Sequence, residues 1–465
     1  MTEFEPLYSA EEMRAAESRY PDYPNSVPEL MERAGTHAAE VALHAYHDAV
    51  TWTVVCGGGS NGGDGRIAAR RLADVGKEVR IVDAKVGETD LGEPDVIVDA
   101  LFGTGFRGAP RPGAAALIGR MNRSGARMFS IDLPSGVDAS TGEVAGAAVR
   151  ADETVTFHGR KIGLVVAPGR FYAGRVHVAD IGLETAETHM LLATPGLLRS
   201  VPRRRDEDNK YTAGHVLVVG GSRGLTGAPS LTALAALRAD AGYVTVAAPE
   251  STLPVFEQQV LEAVKRPLPD TDGSVADGAA DVVARLAGKA SAVALGPGLG
   301  RSPAALALVR SLTADLELPM VVDADALFEL APADWRGPRV LTPHEGELAR
   351  LLGRDARDVA AHRLAAVREA AERFRCVVLL KGGDSLVAAP DGRVLVAALG
   401  LPSLATAGTG DVLTGIIAAF LAKGMEPVHA AVAGAAAQQR ASVEAPQRAG
   451  LVASDVIEAL PRALW

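Results

Sequence analysis

The chain is poor in several features that would settle its nature at a glance. Its two cysteines, Cys56 and Cys376, lie one in each half within apolar runs, so they give no disulfide framework and read as buried apolar fillers. Aromatic residues make up 4% against 50 glycines, which disfavours an aromatic-packed sandwich and favours α/β layers rich in Ala and Val. Cations are in deficit: 47 Lys and Arg face 57 Asp and Glu, a net charge of −10. A general binder of nucleic acid or anionic membrane draws its affinity from clustered cations, so neither partner is expected and anionic substrates must be held by local devices. No run of about 18 residues, the length a spanning helix needs, is free of charge. The opening MTEFEPLYSAEEM has acids where a secretory signal carries cations, and a cytoplasmic protein is expected. A phosphate cradle of the type G-x-x-x-x-G-K-[ST] occurs nowhere.

What is present is two α/β patterns. At 465 residues with 48% apolar content, the chain is long enough for two large domains. Short apolar runs alternate with helical segments at 51–56, 78–84, 94–103, 126–136, 153–159 and 175–183, the signature of a mostly parallel sheet covered on both faces. Between about 186 and 209 the pattern dissolves into the mixed charges PRRRDEDNK, read as a linker in which Arg203, Arg204 and Arg205 are solvated. A second alternation follows at 214–222, 243–250, 291–298, 319–327, 339–347 and 376–389, with Ala- and Leu-rich helices between and after. No fixed short period relates the halves, which excludes a solenoid. The domains expected are 1–185 and 210–465.

In the first half, GGGSNGGDG (57–65) follows a strand and opens a helix. Gly57, Gly59 and Gly62 fit G-x-G-x-x-G, and Asp83 ends the next strand, which imitates a dinucleotide fingerprint. Asp64 argues against it, because a carboxylate stands where a pyrophosphate would meet backbone N–H groups. Asp83 then reads as an ordinary strand-end residue. Asp99 opens DALFGTGFRG and Asp132 opens DLPSGVD at further strand ends, where ligands of parallel sheets collect. Asn61, Asp99 and Ser135 offer oxygen donors to one cation, with capping or turn roles as the plain alternative.

LMERAG (30–35), GGGSNGGDG, DALFGTGFRG, SIDLPSGVD and TVTFHGRKIGL together resemble the NAD(P)H-hydrate epimerase domain, with a Rossmann-like three-layer fold over residues 1–185. The resemblance implies that Asn61, Asp99 and Ser135 bind K+. It places Ser60, Asn61, Gly62, Gly63, Asp64, Gly103, Thr104, Gly105, Phe106, Arg107, Gly108, Ala109 and Asp132 around the hydrated dinucleotide, with Asp132 as the acid/base residue. One departure is visible: Ser60 stands where the family usually has a first asparagine.

In the second half, ATAGTGDVLTG (405–415) sets Gly408, Thr409 and Gly410 at the start of an apolar helix, where free N–H groups and the helix dipole make an anion hole. Asp411 follows in the first turn. Alone it would read as a cap; inside G-T-G-D after this strand series it reads as the base that deprotonates a hydroxyl attacking a phosphoryl group. Together with 220–247, GPGLG, VVDADAL, LTPHEGELARLLG and KGGDS, the motif resembles the ribokinase-like α/β/α superfamily. Within that superfamily it resembles the ADP- or ATP-dependent NAD(P)H-hydrate dehydratase, over residues 210–465. By that resemblance Ala228, Gly298, His344 and Asp411 face the hydrated cofactor, and Lys381, Gly382, Gly383, Asp384, Ser385 and Gly410 hold the nucleotide, ADP or ATP. Sugar and vitamin kinases tend to carry Asn where His344 stands, ahead of a Glu that supports phosphate-bound Mg2+ and is matched here by Glu347. The reaction implied is phosphorylation of the cofactor's added hydroxyl, followed by its expulsion as phosphate. Rival readings are a ribokinase-like small-molecule kinase and a non-catalytic dinucleotide sensor. The sequence leaves homo-oligomerisation open.

Overall fold

A computed structural model of the chain describes residues 2–447 and 449–464. It divides into two compact units: Pro6–Met190 with Ala360–His362, and Met1–Glu5 with Leu191–Val359 and Arg363–Trp465.

The first unit is built on six strands: β1 (Thr51–Cys56), β2 (Glu78–Asp83), β3 (Val96–Ala100), β4 (Arg127–Ile131), β5 (Glu153–Phe157) and β6 (Arg175–Ala179). All pair in parallel, in the order β2-β1-β3-β4-β5-β6. Side chains alternate between the faces: Trp52, Val54 and Cys56 enter a core with Leu30, Ala34 and Ala38 of the helix Val27–Ala45, whereas Val55 meets Leu117, Ile118 and Met121 of Pro112–Met121. The strand order reverses between β1 and β3, which opens a crevice at their carboxyl ends. GGGSNGGDG and the loop after Asp99 both issue there.

The second unit's main sheet comprises β7 (His215–Val219), β8 (Tyr243–Pro249), β9 (Val264–Leu268), β10 (Ala292–Leu295), β11 (Met320–Val322), β12 (Arg339–Leu341), β13 (Val377–Leu380), β14 (Ser385–Ala388) and β15 (Val394–Ala397). Their order is β9-β8-β7-β10-β11-β12-β13-β14-β15, parallel as far as β13 and antiparallel beyond it. Here the switch lies between β7 and β10. Helices Gly227–Arg238, Thr409–Ala422, Pro427–Glu444 and Ala453–Ala463 share one Ala-rich core over the sheet. A three-layer Rossmann-like unit and a ribokinase-like α/β/α unit are therefore both present.

Three readings differ from the structure. The run 376–389 is two antiparallel strands, because KGGD reverses the chain between them. Strand β9, VKRPL, escaped notice because its charges and proline mask an edge strand. Of the stretch 186–209, Met190–Ala193 is a strand and Pro195–Arg199 a 3-10 helix, and Leu197, Leu198 and Val201 are buried in the second unit's core. The charges that suggested a linker begin only at Arg203. Arg204 pairs with Asp240 at 2.7 Å and Arg205 with Glu207 at 3.3 Å, as solvated side chains do. Among the described residues no helix is long and apolar enough to cross a membrane.

Candidate functional site

A cavity of about 750 Å³ opens in the first unit at the switch between β1 and β3. Ser60, Asn61, Asp64, Gly103, Thr104, Gly105, Phe106, Arg107 and Asp132 line it, as expected from the motifs. Gly62 and Gly63 do not; they pack against Gly57 and Met31. Gly108 and Ala109 are exposed, outside its lining.

Asp132 follows β4 in a left-handed conformation, φ +69°. Its Oδ2 accepts the Thr104 amide at 2.7 Å and the Thr104 hydroxyl at 2.6 Å, and Oδ1 lies 3.0 Å from the Lys161 ammonium. Gly103 makes this approach possible, since a Cβ there would come within 2.8 Å of Asp132 Oδ2. Lys161 is almost fully buried and also donates to Thr156 Oγ1 and the Phe157 carbonyl, each at 2.9 Å. Burial raises the Asp132 carboxyl, but Lys161 and the Thr104 bonds outweigh it and hold the group below its ordinary range. Sequence reading missed Lys161, because a lone lysine after a strand looks like surface. Its place is fixed by the short strand Arg160–Lys161, which pairs with Leu7 and Tyr8.

Asp99 and Ser135 bond to each other, and Asn61 and Ser135 both reach the Phe102 backbone. Asp99 is fully buried; Ser135 gives its hydroxyl to Oδ1 at 2.6 Å and its amide to Oδ2 at 2.8 Å, and Ser130 adds a bond at 3.0 Å. Asn61 Nδ2 donates to the carbonyls of Phe102 and Ile131, at 2.8 and 3.1 Å, and the Phe102 amide donates to Ser135 Oγ at 2.8 Å. Asn61 Oδ1 is left buried with no partner. A monovalent cation fits that atom, which no protein donor satisfies. Asp83, by contrast, is consumed by Arg66 at 2.7 Å and by the Lys85 amide, so it is the strand-end residue expected rather than a ribose acceptor.

In the second unit, helix Thr409–Ala422 points its N-terminus at the loop after β13. Lys381 Nζ lies so close to Gly410 that a Cβ there would be 3.4 Å from it, so the ammonium stands against the positive end of the helix. Asp323, buried at the end of β11, accepts Lys381 Nζ at 2.8 Å and Thr414 Oγ1 at 2.7 Å. Lys381 also lies 3.8 Å from Glu347. Asp411 stands in the first helical turn. Burial, then Asp323, pushes its carboxyl up to about 7, against the pull of Lys381. Helix Gly227–Arg238, which carries Ala228, packs tightly here: Thr232 donates to the Asp411 carbonyl at 3.0 Å, and a Cβ on Gly415 would come within 2.2 Å of the Thr232 carbonyl. Asp323 is the residue missed in this half. Its signal was a carboxylate at a strand end, the rule applied to Asp99 and Asp132.

Gly298 is buried and its carbonyl accepts the Ser222 hydroxyl at 2.9 Å, joining the loops after β7 and β10 at the switch. His344 caps helix Glu345–Leu352 through Nδ1, accepting the Gly346 amide at 3.0 Å, with Nε2 3.5 Å from Glu347. Gly382 and Gly383 are exposed, and Ser385 is buried with its hydroxyl on the Gly382 carbonyl. The Asp384 side chain faces inward: 1% exposed, it meets the buried Arg363 at 3.1 Å. The pair shapes the loop from below. Arg363→Ala is accordingly expected to cost about 3 kcal/mol, since it breaks a buried ion pair. A denaturant melt that stays at the wild-type midpoint would speak against this.

Models of two families match the chain: NAD(P)H-hydrate dehydratase over residues 216–462, and YjeF-related protein N-terminus over residues 27–88 and 82–163. Bifunctional NAD(P)H-hydrate repair enzymes of Moorella thermoacetica and Escherichia coli are 39% and 35% identical to it. Those matches cover 94% and 93% of this chain and 92% and 89% of the relatives. A crystal structure of ADP/ATP-dependent NAD(P)H-hydrate dehydratase from Bacillus subtilis, co-crystallised with ATP and Mg2+, is similar with a TM-score of 0.51 and 28% identity, covering 58% of this chain and 96% of that one.

Proposed function

The chain belongs to the family of bifunctional NAD(P)H-hydrate repair enzymes, and from that premise we propose how its two units divide the work. The first interconverts the R and S forms of hydrated NADH and NADPH. The second dehydrates the S form to NAD(P)H with ADP as phosphoryl donor, releasing AMP and phosphate. The observation that carries the second assignment is Asp411 set beside Lys381 and Gly410.

A hydroxyl is a poor leaving group. Asp411 takes its proton as it attacks the terminal phosphoryl group, whose charge Lys381 and the helix N-terminus offset. The ring nitrogen's lone pair then expels phosphate, and loss of the neighbouring ring proton restores the double bond. Ala228, Gly298 and His344 face the hydrated cofactor; the backbone of Lys381 to Ser385 and Gly410 holds the nucleotide. Mg2+ comes with the nucleotide, where it would neutralise phosphate charge, and Glu347 supports it. Mg2+ keeps much of its own water and needs few protein ligands, so a single carboxylate fits that role.

In the first unit, inversion at the carbon bearing the hydroxyl passes through an iminium or a ring-opened intermediate. The ionised Asp132 stabilises the positive charge that develops. K+ fits the Asn61 Oδ1, Asp99 and Ser135 set, where it would supply the charge that Asn61 Oδ1 and the buried Asp99 lack. Asp99→Ala is expected to slow epimerisation and remove its response to potassium; in the wild type potassium raises the melting temperature and in the variant it does not. Equal epimerase rates and equal melting with and without potassium in the wild type contradict the cation. The reaction is that of a cytoplasmic enzyme working on small molecules.

The experiment that tests the proposal is incubation with hydrated NADH and each nucleotide, following the return of reduced-nicotinamide absorbance and free phosphate. A stable phosphorylated product without NADH would identify a kinase instead.

A further inference from the structure

Two aspartates line the cavity of the first unit, and the structure holds them in opposite ways. Asp132 is fully engaged: two bonds from Thr104 fill Oδ2, and Lys161 sits on Oδ1. A carboxylate so occupied is a fixed charge with little capacity to accept another proton. Asp64 lies in the first turns of helix Ser60–Asp74, is 9% exposed, and faces the cavity. Among the described residues no side chain or amide donates to its carboxyl, which feels only burial and nearby charges. Its oxygens are available to whatever fills the cavity.

Resting on the epimerase reading of this unit, we propose that Asp64 is the proton carrier of epimerisation and that Asp132 is its electrostatic partner. In the protonated form Asp64 gives its proton to the hydroxyl on the hydrated ring carbon. The carbon–oxygen bond breaks, water leaves, and the ring nitrogen's lone pair forms the C=N+ bond opposite the Asp132 charge. Water then adds to the other face of the same carbon, and the proton it sheds returns through the cavity water to the Asp64 carboxylate. Atoms and charge balance, and no further reagent is consumed. The charged groups around Asp64 suit that cycle. Burial, then Asp132 and then Glu17 of helix Ala10–Ser18, push its carboxyl up to about 8, with Lys161 pulling the other way. Arg14 and Arg107 also border the cavity. Asp64 therefore holds its proton at neutral pH, where Asp132 has lost its own.

The test follows the interconversion of R and S hydrated NADH without nucleotide, so that the second unit is silent. Asp64→Asn is expected to lower that rate by ~10²-fold or more, and Asp64→Glu, which keeps the carboxyl, to restore part of it. The acid form starts the cycle, so the wild-type rate falls as pH rises through about 8, and the residual rate of Asp64→Asn lacks that limb. ADP-dependent dehydration of the S form is measured on the same preparations as a control for folding and is unchanged in both variants. Epimerisation by Asp64→Asn at the wild-type rate, or an unchanged high-pH limb, overturns the assignment. Absence of epimerisation in the wild type overturns the epimerase reading itself.

Discussion

Replacing Asp411 by asparagine lowers dehydration by ~10²- to 10⁴-fold and leaves epimerisation by the same chain intact, if the carboxylate is the general base. Asparagine keeps the size of the side chain and its ability to cap, so the melting curve moves by no more than about 1 kcal/mol. A mere cap would show the reverse pattern, a small loss of stability with turnover kept. The pH dependence gives the same test without mutation. A base acts in its ionised form, and burial with Asp323 holds this one at about 7, so dehydration rises with pH through neutrality and then levels off. The residual activity of the variant lacks that rise. Near-normal NADH recovery by Asp411→Asn removes the base from the mechanism.

Lys161→Met is expected to abolish most epimerisation through Asp132. With the ammonium gone, burial is the dominant influence on the carboxyl, which rises from below its ordinary range and holds its charge less firmly. The charge that faces the developing cation is weakened and no longer held in place, a change of ~10²- to 10³-fold by analogy with removing one preorganised partner of a charged intermediate. Breaking the buried pair also costs about 3 kcal/mol. Adding Asp132→Asn regains that stability without regaining activity. A Lys161→Met variant with wild-type epimerisation and melting would show that the pair serves neither role.

How far the sequence could be read depended on the kind of signal. Strand ends and glycine loops were legible because backbone geometry demands particular residues there, and Asp99, Asp132, Ser135 and Asp411 stand at such points. Lys161 was not, because it acts through a partner far away in sequence; Asp323 carried the strand-end signal, but its partner lies equally far off. Nothing near Lys161 announces Asp132, and nothing near Asp323 announces Lys381. Arg363 is hidden for the same reason, as a helix residue whose partner Asp384 sits in a loop read for nucleotide contact. The apolar segment 190–201 was overshadowed by the charges that follow it.

One chain performs both steps on a single damaged cofactor. The most direct measurement supplies the pure R form of hydrated NADH with ADP and Mg2+, on a time scale over which that form alone in buffer does not change. Complete return to NADH is expected, with one AMP and one phosphate released per cofactor, and Asp411→Asn is expected to stop the sequence at a mixture of R and S forms. R form that persists unchanged with the wild-type protein, or a phosphorylated product that accumulates without NADH, would contradict it.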